Sequence, residues 1–301
     1  MNVHNNSSSG HLLSPLVANL AGLTVGDLAP VRIMAVLNVS PESFHQGSVQ
    51  TNLQNIAETA EAMASAGADI IDIGAMSTAP YLKTHISEEE ETLRLVRAIE
   101  AVVTRVTIPV SVDTQRAKPA AAALAAGAQI INDVSGLKRD LAMARLVADS
   151  QAGVILMASE ILPGSGPPMQ RIQTALEESL LLADQAGIPA SRIVLDPGIG
   201  FFRQPEIPWY EWDCVVLREL ASLRAFGLPM LIGVSRKSFI GKLLDKPETA
   251  DRLLGSLACA AIAVNNGAHI IRTHDVKETI ETVRIAERLR ARWPIQTPPA
   301  Q

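Results

Sequence analysis

The residues able to do chemistry in this chain fall at recurring places, directly after short apolar runs rich in β-branched side chains. Asn38 follows one such run, Asp113-Thr114 ends another and Asn132-Asp133 a third. Asp196-Pro197-Gly198, Ser235-Arg236-Lys237-Ser238 and Arg272-Thr273-His274-Asp275 end three more, and a further run leads through Gly74 to Ser77 and Thr78. Taken singly, each has a structural reading: Asp or Asn there caps the next helix, Asp-Pro-Gly is a turn, and a lysine faces solvent. Gathered around one cavity, they make two kinds of surface. Asp113, Asn132 and Asp196 offer acceptors and an amide, the mixture needed by the rim of a flat heterocycle with a 2-amino-4-oxo edge. Lys237, Arg272 and His274, with Ser77 and Thr78, offer cations and hydroxyls for a phosphate or diphosphate. Asn38 supplies a neutral oxygen suited to Mg²⁺ whose octahedron phosphate and water complete.

Such convergence needs a scaffold that brings the ends of many strands together. The apolar runs occupy residues 32–37, 70–73, 110–112, 130–132, 154–157, 193–195, 230–233 and 270–273. Short continuous apolar runs suit parallel strands buried on both faces, and alanine- and leucine-rich helical stretches separate them. Three strands are preceded by nearly the same peptide: Gly67-Ala68-Asp69, Gly127-Ala128-Gln129 and Gly267-Ala268-His269. Glycine there reads as the left-handed residue that stops a helix before the chain turns into a strand. Eight such units favour a closed (β/α)8 TIM barrel in the α/β class over a doubly wound open sheet, and a barrel carries its site at the C-terminal strand ends. The expected barrel spans residues 31–293. Residues 1–30 form a tail with a short extension placed to close the barrel's bottom, and 294–301 form a second tail. Ser87 with Glu90 reads as a capping box at a helix start, where Glu88, Glu89, Glu90 and Glu91 face solvent.

Composition narrows the function classes. Of 301 residues 48% are hydrophobic but only 3% aromatic, so aliphatic side chains and alanine must fill the core. A net charge of −5 and a pI near 5.7 argue against a general nucleic-acid or membrane-surface binder, so an anion site must be a local cluster of cations. No apolar run reaches the roughly 18 residues of a membrane span, and residues 1–10 lack the basic segment and apolar core of a secretory signal. Cys214 and Cys259 stand apart from any pairing or metal-ligand spacing, as buried thiols in a reducing, cytoplasmic setting would.

The ordered motifs together resemble the dihydropteroate synthase family of pterin-binding barrels. They are Leu37-Asn38-Val39-Ser40-Pro41-Glu42-Ser43-Phe44, Asp72-Ile73-Gly74 with Ser77-Thr78, Ser111-Val112-Asp113-Thr114, and Ile131-Asn132-Asp133-Val134. They continue with Leu195-Asp196-Pro197-Gly198-Ile199-Gly200-Phe201, Gly233-Val234-Ser235-Arg236-Lys237-Ser238-Phe239, and Arg272 with His274-Asp275. The resemblance implies a transferase that joins 6-hydroxymethyl-7,8-dihydropterin diphosphate to 4-aminobenzoate and releases diphosphate. It implies that Asp113, Asn132, Asp196 and Lys237 hold the pterin and that Thr78, Arg272 and His274 bind the diphosphate. Asn38 would meet Mg²⁺, and Ser238 would lie near the arylamine. It also implies a homodimer, to which Ile280, Val283, Ile285 and Leu289 on the last helix would contribute if they are not spent on barrel packing.

The chain departs from the bacterial folate pattern in its loops. Glu42, Gln46 and Ala79 stand where the family has Asp, Asp and a loop arginine. Ala158-Ser159-Glu160 follows Met157 in place of His, and Phe202-Arg203 replaces Gly-Lys. Trp209, Tyr210 and Trp212 bring aromatics to a chain with few of them, either as surface packing or as cover for an altered arylamine pocket. Similar variants in archaeal-type relatives imply a second acceptor, ribofuranosylaminobenzene 5′-phosphate of tetrahydromethanopterin synthesis. A pterin-binding paralogue without activity and a corrinoid-linked methyltransferase are the rivals from other classes.

Overall fold

The structure, a computed structural model, describes residues 14–39, 49–75, 86–162, 164–202 and 207–290. Eight strands alternate with helices in chain order: β3 (Arg32–Asn38), α1 (Val49–Ser65), β4 (Ile70–Gly74), α2 (Glu88–Val103), β5 (Val110–Asp113), α3 (Ala117–Ala125), β6 (Ile130–Asp133), α4 (Ala142–Ser150) and β7 (Gly153–Met157). The chain continues through α5 (Pro168–Gln185), β8 (Ile193–Asp196), α6 (Trp209–Glu219), β9 (Leu231–Gly233), α7 (Ser238–Leu244), α8 (Leu253–Asn265), β10 (Ile270–Thr273) and α9 (Val276–Leu289). All these strands pair in parallel, in the order β8-β7-β6-β5-β4-β3-β10-β9. A parallel bridge from Leu195 to Met230 joins β8 to β9 and closes the barrel. The expected TIM barrel is therefore present, and each strand begins and ends within one residue of the apolar run that predicted it.

The repeated Gly-Ala peptide does what its sequence predicts. Gly67, Gly127 and Gly267 have φ of +102°, +114° and +104°. At each, the next amide reaches back to close the helix end: Ala68 N to Met63 O, Ala128 N to Ala123 O, Ala268 N to Ala263 O. The amide after that joins the neighbouring strand, as Asp69 N does to Ile33 O and His269 N to Met230 O. One turn thus ends a helix and sets the register of a strand.

The barrel interior is layered because side chains on a strand alternate. Met34, Ile70, Ile130, Ile155, Val194, Leu231 and Ile270 fill its lower end as one buried aliphatic cluster. Beneath them lies a hairpin of β1 (Val17–Leu20) and β2 (Leu23–Gly26), which contributes Ala18, Leu20 and Val25 to the same cluster. Asp27 pins this floor, accepting from the Leu16 amide at 2.7 Å and from Arg224 at 3.0 and 2.6 Å, with His269 Nε2 3.3 Å away. Burial opposes the charge, but those bonds hold the Asp27 carboxyl well below the usual carboxylate range. The outer face of the strands packs on the helices as a second, larger core.

Ser87 caps α2 by accepting from Glu90 N at 3.1 Å, whereas the Glu90 side chain turns to Arg94 rather than back to the cap. Glu91 corrects the expectation of four solvent-facing glutamates. It is 2% exposed, accepts from Thr114 Oγ1 at 2.6 Å and from Arg116 Nη1 at 2.7 Å, and so braces the loop after β5. Cys214 and Cys259 are free thiols, partly buried, and burial raises the Cys259 pKa to about 11. No helix among the described residues is long and apolar enough to cross a membrane.

Candidate active site

Two residues beyond the aliphatic layer, the same inward positions carry different chemistry. Ile70 gives way to Asp72, Ile130 to Asn132, Val194 to Asp196 and Ile270 to Arg272, while β5 points Ser111 and Asp113 into the same space. Register supports the ring: Asn38 lies beside Gly74, Gly74 beside Asp113, and Asp113 beside Asn132. Asn132 and Asp133, adjacent in sequence, therefore part company. Asp133 faces outward and caps its own turn, accepting from the Ser135 and Leu137 amides at 2.8 Å each.

At the centre of the ring Arg272 meets two carboxylates. Its Nε donates to Asp72 Oδ2 at 2.7 Å and its Nη2 to Asp113 Oδ2 at 3.0 Å. Asn132 Nδ2 donates to the same Asp72 oxygen at 3.1 Å, so the amide turns its oxygen the other way. The second oxygens of Asp72 and Asp113 are buried with no hydrogen-bond partner, as is Ser111 Oγ. Burial lifts the Asp113 carboxyl to about 7 against the pull of Arg272, and the Asp72 charge adds to the rise. Burial likewise raises Asp196, opposed by the Gly198 amide at 2.8 Å and by Lys237 and Arg272. Carboxyl groups so poised are common where ligands bind. Asp72 belongs to the Asp72-Ile73-Gly74 motif, from which no role for it follows. Its signal was a carboxylate inside an otherwise apolar parallel strand, a place that demands a partner.

Lys237 approaches from the loop after β9. Its chain lies across Gly200, where a β-carbon would come within 3.2 Å of Cδ, and its Nζ stands 4.6 Å from the centre of the Phe201 ring. Gly200 (φ +85°) is held by its amide to buried Asp213 at 2.8 Å. Ser238 opens α7 directly after Lys237. His274 is exposed at the rim, its Nδ1 3.0 Å from Ser235 Oγ. Desolvation and then the Arg272 charge push its imidazole down. Asn38 is exposed at the end of β3 beside Gly74 and Asp113. The structure thus brings Asn38, Asp113, Asn132, Asp196, Lys237, Ser238, Arg272 and His274 to one end of the barrel. Thr78, with Ser77, Glu42, Gln46 and Ala79, lies outside the described residues.

Several sequence departures meet in one cluster beside this end. Arg171 of α5 pairs with Glu160 through Nε at 2.7 Å and through Nη2. Its guanidinium lies over Trp212 at 5.0 Å and Phe202 at 5.8 Å, and those two rings stack at 5.2 Å. Trp212 is 1% exposed and is core, not a pocket cover. Ala158 is fully buried, and its amide donates to Asp196 O at 2.7 Å.

A closed parallel barrel with a carboxylate-lined mouth and cations at its rim fits the class of pterin-binding enzymes, and the family model described as pterin binding enzyme matches residues 34–274. Dihydropteroate synthase of Escherichia coli K12 is 38% identical over 271 residues, covering 87% of this chain and 92% of that protein. The solved structure of Xanthomonas albilineans dihydropteroate synthase with 4-aminobenzoic acid superposes with a TM-score of 0.82 at 32% identity, covering 92% and 99% of the two chains. That of Clostridium difficile dihydropteroate synthase in the presence of pteroic acid gives 0.80 at 35% identity, covering 87% and 98%. The chain belongs to the dihydropteroate synthase family.

Proposed function

We propose that this transferase condenses 6-hydroxymethyl-7,8-dihydropterin diphosphate with 4-aminobenzoate and releases diphosphate, as its place in the family supports. The observation that carries the reading is the ring of strand-end groups, in which Asp113 bonds the Arg272 cation through one oxygen and keeps the other buried without a partner. Asp113, Asn132 and Asp196 bind the donor and acceptor edge of the pterin, and Lys237 closes over it from Gly200. Arg272 and His274, with Thr78, take the diphosphate, and Ser238 meets the arylamine at the α7 start. The C–O bond at the pterin methylene breaks and its electron pair leaves with the diphosphate. Asp113 and Asp196 stabilise the positive charge that develops on the pterin, the amine nitrogen forms the new C–N bond, and its proton leaves last. Fixed charges and positioning supply the acceleration, without a covalent nucleophile.

Among the described residues, no three His, Cys, Asp or Glu side chains gather to hold an ion. The exposed Asn38 side chain at the end of β3 would hold a Mg²⁺ through its neutral oxygen, and such an ion would neutralise charge on the leaving diphosphate.

The protein acts as a homodimer in this reading, and as a cytoplasmic one, given its free thiols. α8 carries no charged side chain, and Leu254 and Ile262 leave its outer face 73% and 50% exposed. On the adjoining α9, Val283 is buried in the barrel, but Ile285 and Leu289 remain 64% and 78% exposed. Together they form an apolar face that a second copy would cover.

The test mixes the protein with the pterin diphosphate, Mg²⁺ and one arylamine at a time, and measures diphosphate release. Release with 4-aminobenzoate supports the assignment. Release only with ribofuranosylaminobenzene 5′-phosphate moves the chain to the alternative acceptor. Tight pterin binding with no release under any condition makes it a non-catalytic paralogue.

A further inference from the structure

Arg236 lies between Ser235 and Lys237, two residues that face the mouth, in the loop after β9. Its side chain turns elsewhere. Nε and Nη2 form a two-pronged pair with Asp275 Oδ2 and Oδ1 at 2.9 and 2.7 Å. Nη1 donates to the Thr249 and Ala250 carbonyls at 3.1 and 3.2 Å. The backbone is equally committed: the amide donates to Ser256 Oγ at 2.7 Å, and the carbonyl accepts from Arg252 Nη1 at 3.1 Å. This holds Arg236 at φ +55°, a left-handed conformation that a side-chain-bearing residue adopts only when its surroundings impose it.

The residues on either side of this knot are the ones that face the mouth. Lys237 follows Arg236 and swings over Gly200. His274 precedes Asp275, and Ser235 precedes Arg236, and these two meet twice: Ser235 Oγ lies 3.0 Å from His274 Nδ1 and 3.2 Å from the His274 amide. The Arg236–Asp275 ion pair and the Ser235–His274 contacts together fasten the loop after β9 to the loop after β10.

We propose that Arg236 and Asp275 are a positioning pair, which fixes Lys237 and His274 at their working separation without touching the ligand. The proposal rests on the reading that Lys237 and His274 bind the pterin diphosphate. A planar guanidinium suits the role because its fork fixes both distance and angle to a carboxylate, and an ammonium cannot replace it. Misplacement of a binding group by about 1 Å can cost about 100-fold in rate.

The experiment compares Arg236→Lys and Asp275→Asn with a control at the opposite end of the barrel. Arg224→Lys breaks an equally forked pair, with Asp27 at 3.0 and 2.6 Å, far from the mouth. Melting temperature, kcat, and KM for each substrate are measured for all three in the full-length protein. The expected result is a fall in kcat of about 10- to 100-fold for both mouth variants, with a normal KM for 4-aminobenzoate, while Arg224→Lys melts earlier but keeps its kcat. If the mouth variants lose only stability, as the control does, the pair is structural and the proposal is overturned. If Arg236→Lys does not fold, Asp275→Asn alone decides, because it keeps the shape while removing the charge and turning one of the two accepting oxygens into a donor. Lys237→Ala and His274→Ala run alongside. Normal turnover in those two would reject the underlying site reading, whereas their loss with unchanged mouth variants would reject the positioning pair alone.

Discussion

Asp72 and Asp113 share a single guanidinium, with Arg272 donating 2.7 Å to one and 3.0 Å to the other. Two buried carboxylates beside one cation leave the group short of a positive charge, and Asp113 bears the consequence, its pKa raised from 3.8 to about 7, mainly by burial.

The sign of the resulting pH dependence follows. Between 3.8 and about 7 the folded chain holds the Asp113 proton more tightly than the unfolded chain. The stability contributed by that proton is fully present below the lower value and disappears as pH rises through the upper one. Asp113→Asn therefore flattens this part of the pH profile of urea unfolding. Asp72→Asn removes a neighbouring negative charge and gives Asp113 a larger share of Arg272, so the midpoint moves to lower pH. A midpoint that stays in place would show the two carboxylates to be uncoupled.

Lys237→Ala and Asp196→Ala each reduce diphosphate release by at least about 100-fold, the scale for losing one preorganised group aimed at developing charge. Far-ultraviolet circular dichroism should remain that of the parent, since neither residue belongs to the aliphatic layer. Turnover close to the parent rate would remove these residues from the mechanism.

Trp212 packs against both Phe202 and Arg171 and is buried. Trp212→Ala lowers unfolding stability by about 3–5 kcal/mol, the usual cost of emptying a large aromatic site. Trp212→Phe, which keeps a stacking ring, leaves the KM for the arylamine unchanged. A raised KM in that variant would return the aromatic segment to the acceptor pocket.

Ile262→Glu and Leu289→Glu place charge on the apolar face of α8 and α9. Light scattering should report twice the chain mass for the parent and the chain mass for the double variant. A monomeric parent would end the dimer reading.

Most of the fold was legible because its signals are local. Each strand is a brief apolar run with a helix-ending glycine or a turn before it, and the eight runs match the eight barrel strands. Strand-end chemistry was legible for the same reason, since a residue at the end of an inward-facing run must face the mouth. What stayed hidden depends on register between distant segments. Arg272 and Asp72 are 200 positions apart, and nothing near either residue announces the other. Glu91 was misread because an acidic helix start is ordinarily solvated, yet α2 packs against α3 closely enough to bring Arg116 and Thr114 onto it. The role of Arg236 stayed hidden because a cation between two mouth-facing residues gives no hint of which way its side chain turns.

The hairpin under the barrel gives this enzyme a sealed end. Among the described residues, Leu20 and its neighbours fill the floor, which leaves the opposite end as the doorway. Asp113 and Asn132 lie deep, while His274 sits at the sill. In the proposed reading, a heterocycle held by Asp113 and Asn132 would be seated before the arylamine, and the diphosphate would leave past the same threshold. With one portal shared in this way, released diphosphate would compete with the next pterin.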